Sequence, residues 1–216
     1  MAAILHVIYT FAHLGLLIWG IHLFQQSSNI GTILLVIVLV GLVYDNLIIS
    51  LGSLIGEGRL LESLNRLRFL LHTLFTPLLL VIAVELANHA GVVWIGNPIV
   101  RCMAWIVALV LIGFEFGKKF VPLKLVSATF AGTLRYREAE SSSLPIGAIL
   151  TIVLVAVVGI SIWQTIQWPW VFLGALIMLL GSAVPIRIVG PVLGSGVEIV
   201  LALSLLTMGN LALRAV

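Results

Sequence analysis

TILLVIVLVGLVYDNLIISLGSLI, residues 32–55, is an apolar run broken near its middle by the triplet Tyr44-Asp45-Asn46 and carrying one charge, Asp45. As a helix at 1.5 Å per residue it reaches roughly 36 Å, enough to cross the ~30 Å hydrocarbon core of a bilayer. Similar runs recur on both sides of it. The spacing predicts helices over residues 2–24, 32–55, 67–88, 99–117, 144–166, 168–184 and 192–214. The stretch 144–185 is too long for one crossing, and Gln164, Gln167 and Pro169 mark a turn within it, because proline removes a donor and disfavours helical geometry in the residue before it. The expected fold is therefore all-α, a polytopic integral membrane bundle of about seven transmembrane helices forming one domain over residues 1–216.

Composition supports this reading. Of the 216 residues 62% are hydrophobic and 9% charged, against roughly a quarter charged in an average soluble domain. Seven spans leave no room for a soluble domain, and the N-terminal run, which lacks a basic segment before it, reads as the first span and not as a cleaved signal. Nucleic acid is not an expected partner; the lipid bilayer is. The single cysteine, Cys102, excludes an internal disulfide, a CxxC redox pair and a multi-thiolate metal site.

Charge placement predicts the orientation. With the N-terminus in the cytoplasm, the connections 2–3, 4–5 and 6–7 face inward and hold Arg59, Arg66 and Arg68, then Lys118, Lys119, Lys124, Arg135 and Arg137, then Arg187. Only Arg101 and Arg214 fall outside this pattern. Trp19, Trp94, Trp105, Trp163, Trp168 and Trp170 all lie toward the other side, as an interfacial aromatic belt should. The C-terminus is then outside. Residues 56–68, GEGRLLESLNRLR, alternate charges with Leu60, Leu61, Leu64 and Leu67 and read as a short interfacial amphipathic helix. Residues 118–143 form a cytoplasmic connection ending in RYREAESSS, a polar tract expected to be solvated.

Intramembrane polar residues are the candidates for chemistry. A carboxylate at Asp45 costs about 3 kcal/mol in a spanning helix, so it should face the bundle interior or a watery cavity. Gly41, Asp45, Gly52 and Gly56 share a stripe where another helix can approach closely, and Asn46, Ser50 and Ser53 extend a polar face beside it. A structural aspartate bonded between helices is the bland alternative. In the third span Arg68, His72 and Thr76 recur every four residues, and Pro77 frees the carbonyl of Thr73, predicting a kink with a polar backbone group near His72. Arg68 snorkelling to headgroups, with His72 in one interhelical bond, would also explain them. In the seventh span Gly194, Glu198, Ala202 and Gly209 put a second acid on a small-residue stripe. If their helices are neighbours, Asp45, His72 and Glu198 meet. Glu115 is expected to pair with Lys118 and Lys119 at the interface, and Glu85 to reach water at the outer boundary.

Helical geometry counts against a haem relay, since His6 and His22 differ by about 160° around a helix and His72 and His89 by about 100°. His6 and His13 do share a face. The last span has no lysine to form a Schiff base, which counts against a retinal pigment, and Walker and Rossmann glycine patterns are missing.

Two function classes follow. One is a small transporter or channel moving a small solute, a cation or protons along a path lined by Asp45, Asn46, His72, Thr76 and Glu198. The alternative is a membrane-embedded enzyme acting on a lipid or isoprenoid at the cytoplasmic interface, with Arg59, Arg66 and Arg68 on a headgroup phosphate and Asp45, His72 and Glu198 as acid/base groups or ligands. No metal-binding spacing such as HExxH is present. An assembly subunit whose polar residues only pack helices is a third reading. Transport is preferred because the acids lie within spans.

Overall fold

The computed structural model describes residues 2–121, 123–139, 145–184 and 190–214, without the side chains of 119 and 214. Its helices follow the apolar runs: α1 Ala2–Ser27, α2 Ile30–Ile55, α3 Arg59–Phe75, α4 Leu78–His89, α5 Pro98–Glu115, α6 Ile146–Ile166, α7 Trp170–Ala183 and α8 Val192–Arg214. A π-helical turn, Phe116–Phe120, extends α5, and strands β1 Leu125–Phe130 and β2 Thr133–Glu138 precede α6. Asn29 and Asn97 cap α2 and α5 by accepting the amides of Gly31 and Ile99, as N-cap side chains do.

Among the described residues five helices are long and apolar enough to cross a membrane, six if α3 and α4 count as one bent span. α7 is apolar but, at 14 residues, shorter. The turn at Gln167 is present, with that residue left-handed at φ 56° and Pro169 at the start of α7. The third expected span is two helices: the chain bends by 42° between α3 and α4 at Thr76-Pro77, because Pro77 has no amide to donate to Thr73. The amphipathic stretch 56–68 is not a separate helix from that span, since α3 runs unbroken from Arg59 to Phe75.

α4 lies at the centre, touching α2, α3, α5, α6 and α8. Every residue from Leu80 to Ala87 is buried, as expected of a helix apolar on all sides. Glu85 is among them, so it does not reach water as its position near a span end suggested. Arg101 of α5 holds it through two bonds, Nε to Oε1 at 3.0 Å and Nη2 to Oε2 at 2.9 Å. Glu115 is buried too, and accepts the amide of Gly147 in the first turn of α6 at 2.8 Å, where a carboxylate suits the helix dipole. Lys118 lies over the Phe114 ring, 5.3 Å from its centre.

The connection 118–143 is not all solvated. Its residues 125–138 form an antiparallel hairpin in register Leu125↔Glu138 to Phe130↔Thr133, turning through Ala131 and Gly132, both at positive φ, the backbone form that matches strand twist. Thus the RYRE of RYREAESSS is strand β2, with Tyr136 buried against Ile48 and Leu61; residues 140–144 lie outside the described residues. The hairpin closes one end of the bundle. Ala2 donates to the carbonyl of Ala131 and Ser53 to that of Gly132. At Gly52 the carbonyl of Leu134 comes so close that any Cβ would overlap it. The small-residue stripe of α2 therefore receives a strand backbone at this point, and not a helix.

Candidate functional site

Asp45 sits on the face of α2 turned toward α3. Arg68 reaches it with Nε at 2.9 Å and Nη2 at 2.8 Å, both on the same oxygen, Oδ1. The remaining Nη1 donates to Asn65 Oδ1 at 2.6 Å, and Asn65 in turn donates to the carbonyl of Leu61. This chain fixes Arg68 from behind, so that its charge is spent on positioning Asp45. Tyr44 fastens the two helices from the next position, donating to the carbonyl of Leu64 at 3.0 Å. Oδ2 of Asp45 takes no hydrogen bond from the described residues and is left facing a cavity.

That cavity measures about 280 Å³. Asp45, Arg68 and His72 line one side, Glu198 and the first turn of α8 the other, and Arg135 of β2 the hairpin end. Asp45, His72 and Glu198, on three different helices, therefore converge on one chamber. α8 reaches it because it packs against α1, α2, α4 and α7, and Gly181 of α7 lets Val197 come close.

Other candidate residues go elsewhere. Thr76 lines a second cavity of about 330 Å³ with Pro77 and Glu115; His72 and Phe69 belong to both chambers and form the wall between them. Asn46 points away, toward α1, where its Oδ1 faces His6 Nδ1 at 2.9 Å while its Nδ2 donates to the carbonyl of Leu42. Because Nδ2 is the donor, Oδ1 must accept, which assigns the proton of His6 to Nδ1. His6 and His13, on one face of α1, are both fully buried. The three arginines do not gather. Arg59 is exposed at the start of α3, Arg66 pairs with Glu62 on the outer face at 3.2 Å, and only Arg68 turns inward. Arg187 lies outside the described residues.

Arg135 was not singled out from the sequence as a site residue. The signal was available in the alternation of TLRYRE, whose period of two puts Leu134 and Tyr136 on one face and Arg135 on the other. Burial, aided by the neighbouring Arg68 charge, pushes the Arg135 guanidinium down to about 10. It remains a cation at neutral pH. Its Nε is buried without a hydrogen-bond partner.

Among the described residues no three His, Cys, Asp or Glu side chains come close enough together to hold a metal ion. Asp45, His72 and Glu198 surround a space; they do not form a ligand cluster. Fold and cavity together define a multi-pass helical protein of the membrane-spanning type, with acids and bases collected in a chamber beneath a β-hairpin. A scan against protein-family models finds no match to the chain, and a search of the curated proteins finds none either.

Proposed function

We propose that the protein is a small membrane transporter or channel that moves a small solute, a cation or protons, and that Asp45, His72 and Glu198 bind the moving species. The observation that carries this reading is the shared cavity: three ionisable side chains from α2, α3 and α8 face one space within a bundle of apolar helices. Ionisable groups at membrane depth are costly unless they face such a space, and they commonly mark ion and solute routes. His72 borders the second chamber as well, which gives the route a continuation past Thr76.

The proposed orientation puts the N-terminus and the hairpin in the cytoplasm and the C-terminus outside, with α3 and α4 as one bent crossing and α7 as a short one, seven in all. Lys118, Lys124, Arg135 and Arg137 at the hairpin end favour it, as do Trp94, Trp163 and Trp170 toward the opposite end. Among the described residues Asp45, His72 and Glu198 do not form a three-ligand cluster, which favours the transport reading over a metal-dependent form of the lipid-enzyme alternative.

The test is flux. In vesicles holding a pH-sensitive or potassium-sensitive dye, wild-type protein dissipates an imposed gradient faster than empty vesicles do, and Asp45→Asn returns the rate to that of empty vesicles. Wild-type rates in the Asp45→Asn protein would count against the proposed path.

A further inference from the structure

The cavity is chemically two-sided. Its hairpin side is basic: Arg135 lies there, Gly190 and Pro191 just before α8 and Gly194 in its first turn line it, and the amides of Val192, Leu193 and Gly194 have no carbonyl partner within that helix, whereas that of Ser195 donates to the carbonyl of Pro191. Such a turn attracts anions through its free N–H groups and its dipole. Two further observations point the same way. Ser195, 4% exposed, lines the cavity with a hydroxyl that makes no hydrogen bond among the described residues. A helical serine usually returns its hydroxyl to its own backbone, as Ser204 does toward Leu201. And the buried Nε of Arg135 is also unpaired.

Space is kept for a ligand at this point. A Cβ at Gly194 would meet nothing within 4 Å, whereas at Gly190, where φ is +61°, it would overlap the Phe130 ring of the hairpin turn. The first glycine opens the floor and the second lets the hairpin close over it.

The deeper side is acidic. Glu198 lies one turn past Gly194, about 6 Å along the helix, and Asp45 offers its free Oδ2 from α2. Arg68 is already matched to Asp45, which leaves Arg135 and the α8 amides as the unmatched positive groups of the cavity and Glu198 as its unmatched acid. A lone anion would meet Glu198, and a lone cation would meet Arg135. Both are satisfied by one small molecule carrying both charges.

We propose that the cavity binds a small zwitterion, its phosphate-type oxyanion held by the α8 first turn, Ser195 and Arg135 and its ammonium group by Glu198 and Asp45. This rests on reading the cavity as the binding site of the transport path, and it names the substrate class. The same chemistry is found in a free amino-phosphate and in a lipid headgroup.

The probes are O-phosphoethanolamine, inorganic phosphate and ethanolamine, titrated calorimetrically into the full-length protein in detergent. O-phosphoethanolamine should bind saturably and at least about tenfold tighter than either half, one charge-assisted bond's worth of affinity. Arg135→Gln should weaken both phosphate-bearing probes by about tenfold and leave ethanolamine alone. Glu198→Gln should weaken ethanolamine and spare phosphate. Ser195→Ala, a change small enough to leave the fold intact, should weaken phosphate by a few-fold. Native mass spectrometry from bilayer discs of equal phosphatidylethanolamine and phosphatidylglycerol separates the sources. One retained phosphatidylethanolamine, lost in Arg135→Gln, identifies a headgroup; soluble probe binding without retained lipid identifies a free zwitterion. Equal affinity for phosphate and O-phosphoethanolamine overturns the proposal, as does unchanged phosphate binding in both Arg135→Gln and Ser195→Ala, or no binding of any probe or lipid. Zwitterion binding in a protein that shows no flux sinks the transport reading alone.

Discussion

Among the described residues two arginine–carboxylate pairs join neighbouring helices, and they are built in opposite senses. In Glu85–Arg101 the acid is the buried partner, 3% exposed against 40% for the arginine, and both carboxylate oxygens are taken. In Asp45–Arg68 the arginine is buried, 9% exposed against 25% for the acid, and both of its bonds fall on one oxygen. The first pair is closed: it satisfies a carboxylate in the central helix and leaves nothing to react. The second holds an acid from behind and presents its other oxygen to a cavity. Burial of charge alone would have ranked Glu85 above Asp45 as a functional residue; the direction in which each pair is satisfied reverses that order.

The largest expected effect separates the two pairs by function. Asp45→Asn should cut flux at least tenfold, about the value of one charge-assisted bond at the site, while Glu85→Gln should leave flux close to wild type. Equal losses in the two variants would erase the distinction and make Asp45 a packing residue.

Stability should show the mirror image. Removing the exposed member of a pair strands the buried one. Arg101→Ala leaves Glu85 as an unpaired charge in the core and should cost about 3–5 kcal/mol, whereas Glu85→Gln leaves Arg101 free to turn to water and should cost about 1 kcal/mol. For the second pair the order inverts: Asp45→Ala, which strands Arg68, should destabilise more than Arg68→Ala. Thermal unfolding in detergent reads all four.

The division between closed and open pairs was only partly legible in the sequence. Apolar length marked the helices, and Pro77 marked the break between α3 and α4, because both depend on local chemistry. Asp45, His72 and Glu198 stood out as ionisable groups within apolar runs, but their meeting depends on which helices are neighbours, and small-residue stripes say only that something comes close. At Gly52 that something is the backbone of β2. The pairing of Glu85 with Arg101 was missed because the two are 16 residues apart on different helices, so no helical periodicity links them. Arg135 was missed because a short hairpin between long apolar helices carries little signal beyond alternation in TLRYRE, and its Ala131-Gly132 turn is not a strong hairpin dipeptide. Ser195 becomes visible only once the cavity is known.

A smaller effect tests whether the open pair depends on the hairpin. Gly52→Ala forces a methyl group against the Leu134 carbonyl, and the strand must shift, at a cost of about 1–3 kcal/mol. Arg135 is carried on that strand next to Leu134, so the cavity should lose anion affinity while the Glu85–Arg101 pair stays intact. Faster proteolysis within residues 125–138, together with weaker phosphate binding, is the expected result. Weaker stability with unchanged binding would mean that the hairpin covers the cavity without contributing to it.

The smallest effect comes from the third arginine–acid pair, Arg66–Glu62. It spans a single turn of α3, with both side chains well exposed, 46% and 39%, so water competes for both charges and neither is stranded when the other is removed. Such pairs are worth about 0.3–0.5 kcal/mol. Arg66 also reaches the carbonyl of Leu123, but at 3.5 Å, the outer limit of a hydrogen bond. Arg66→Ala should therefore shift stability by no more than about 0.5 kcal/mol and leave both flux and zwitterion binding unchanged, even though Arg66 lies only two positions from Arg68. A large loss of binding in this variant would place the ligand's charged group on the outer face of α3, at the headgroup level, and would move the site out of the cavity altogether.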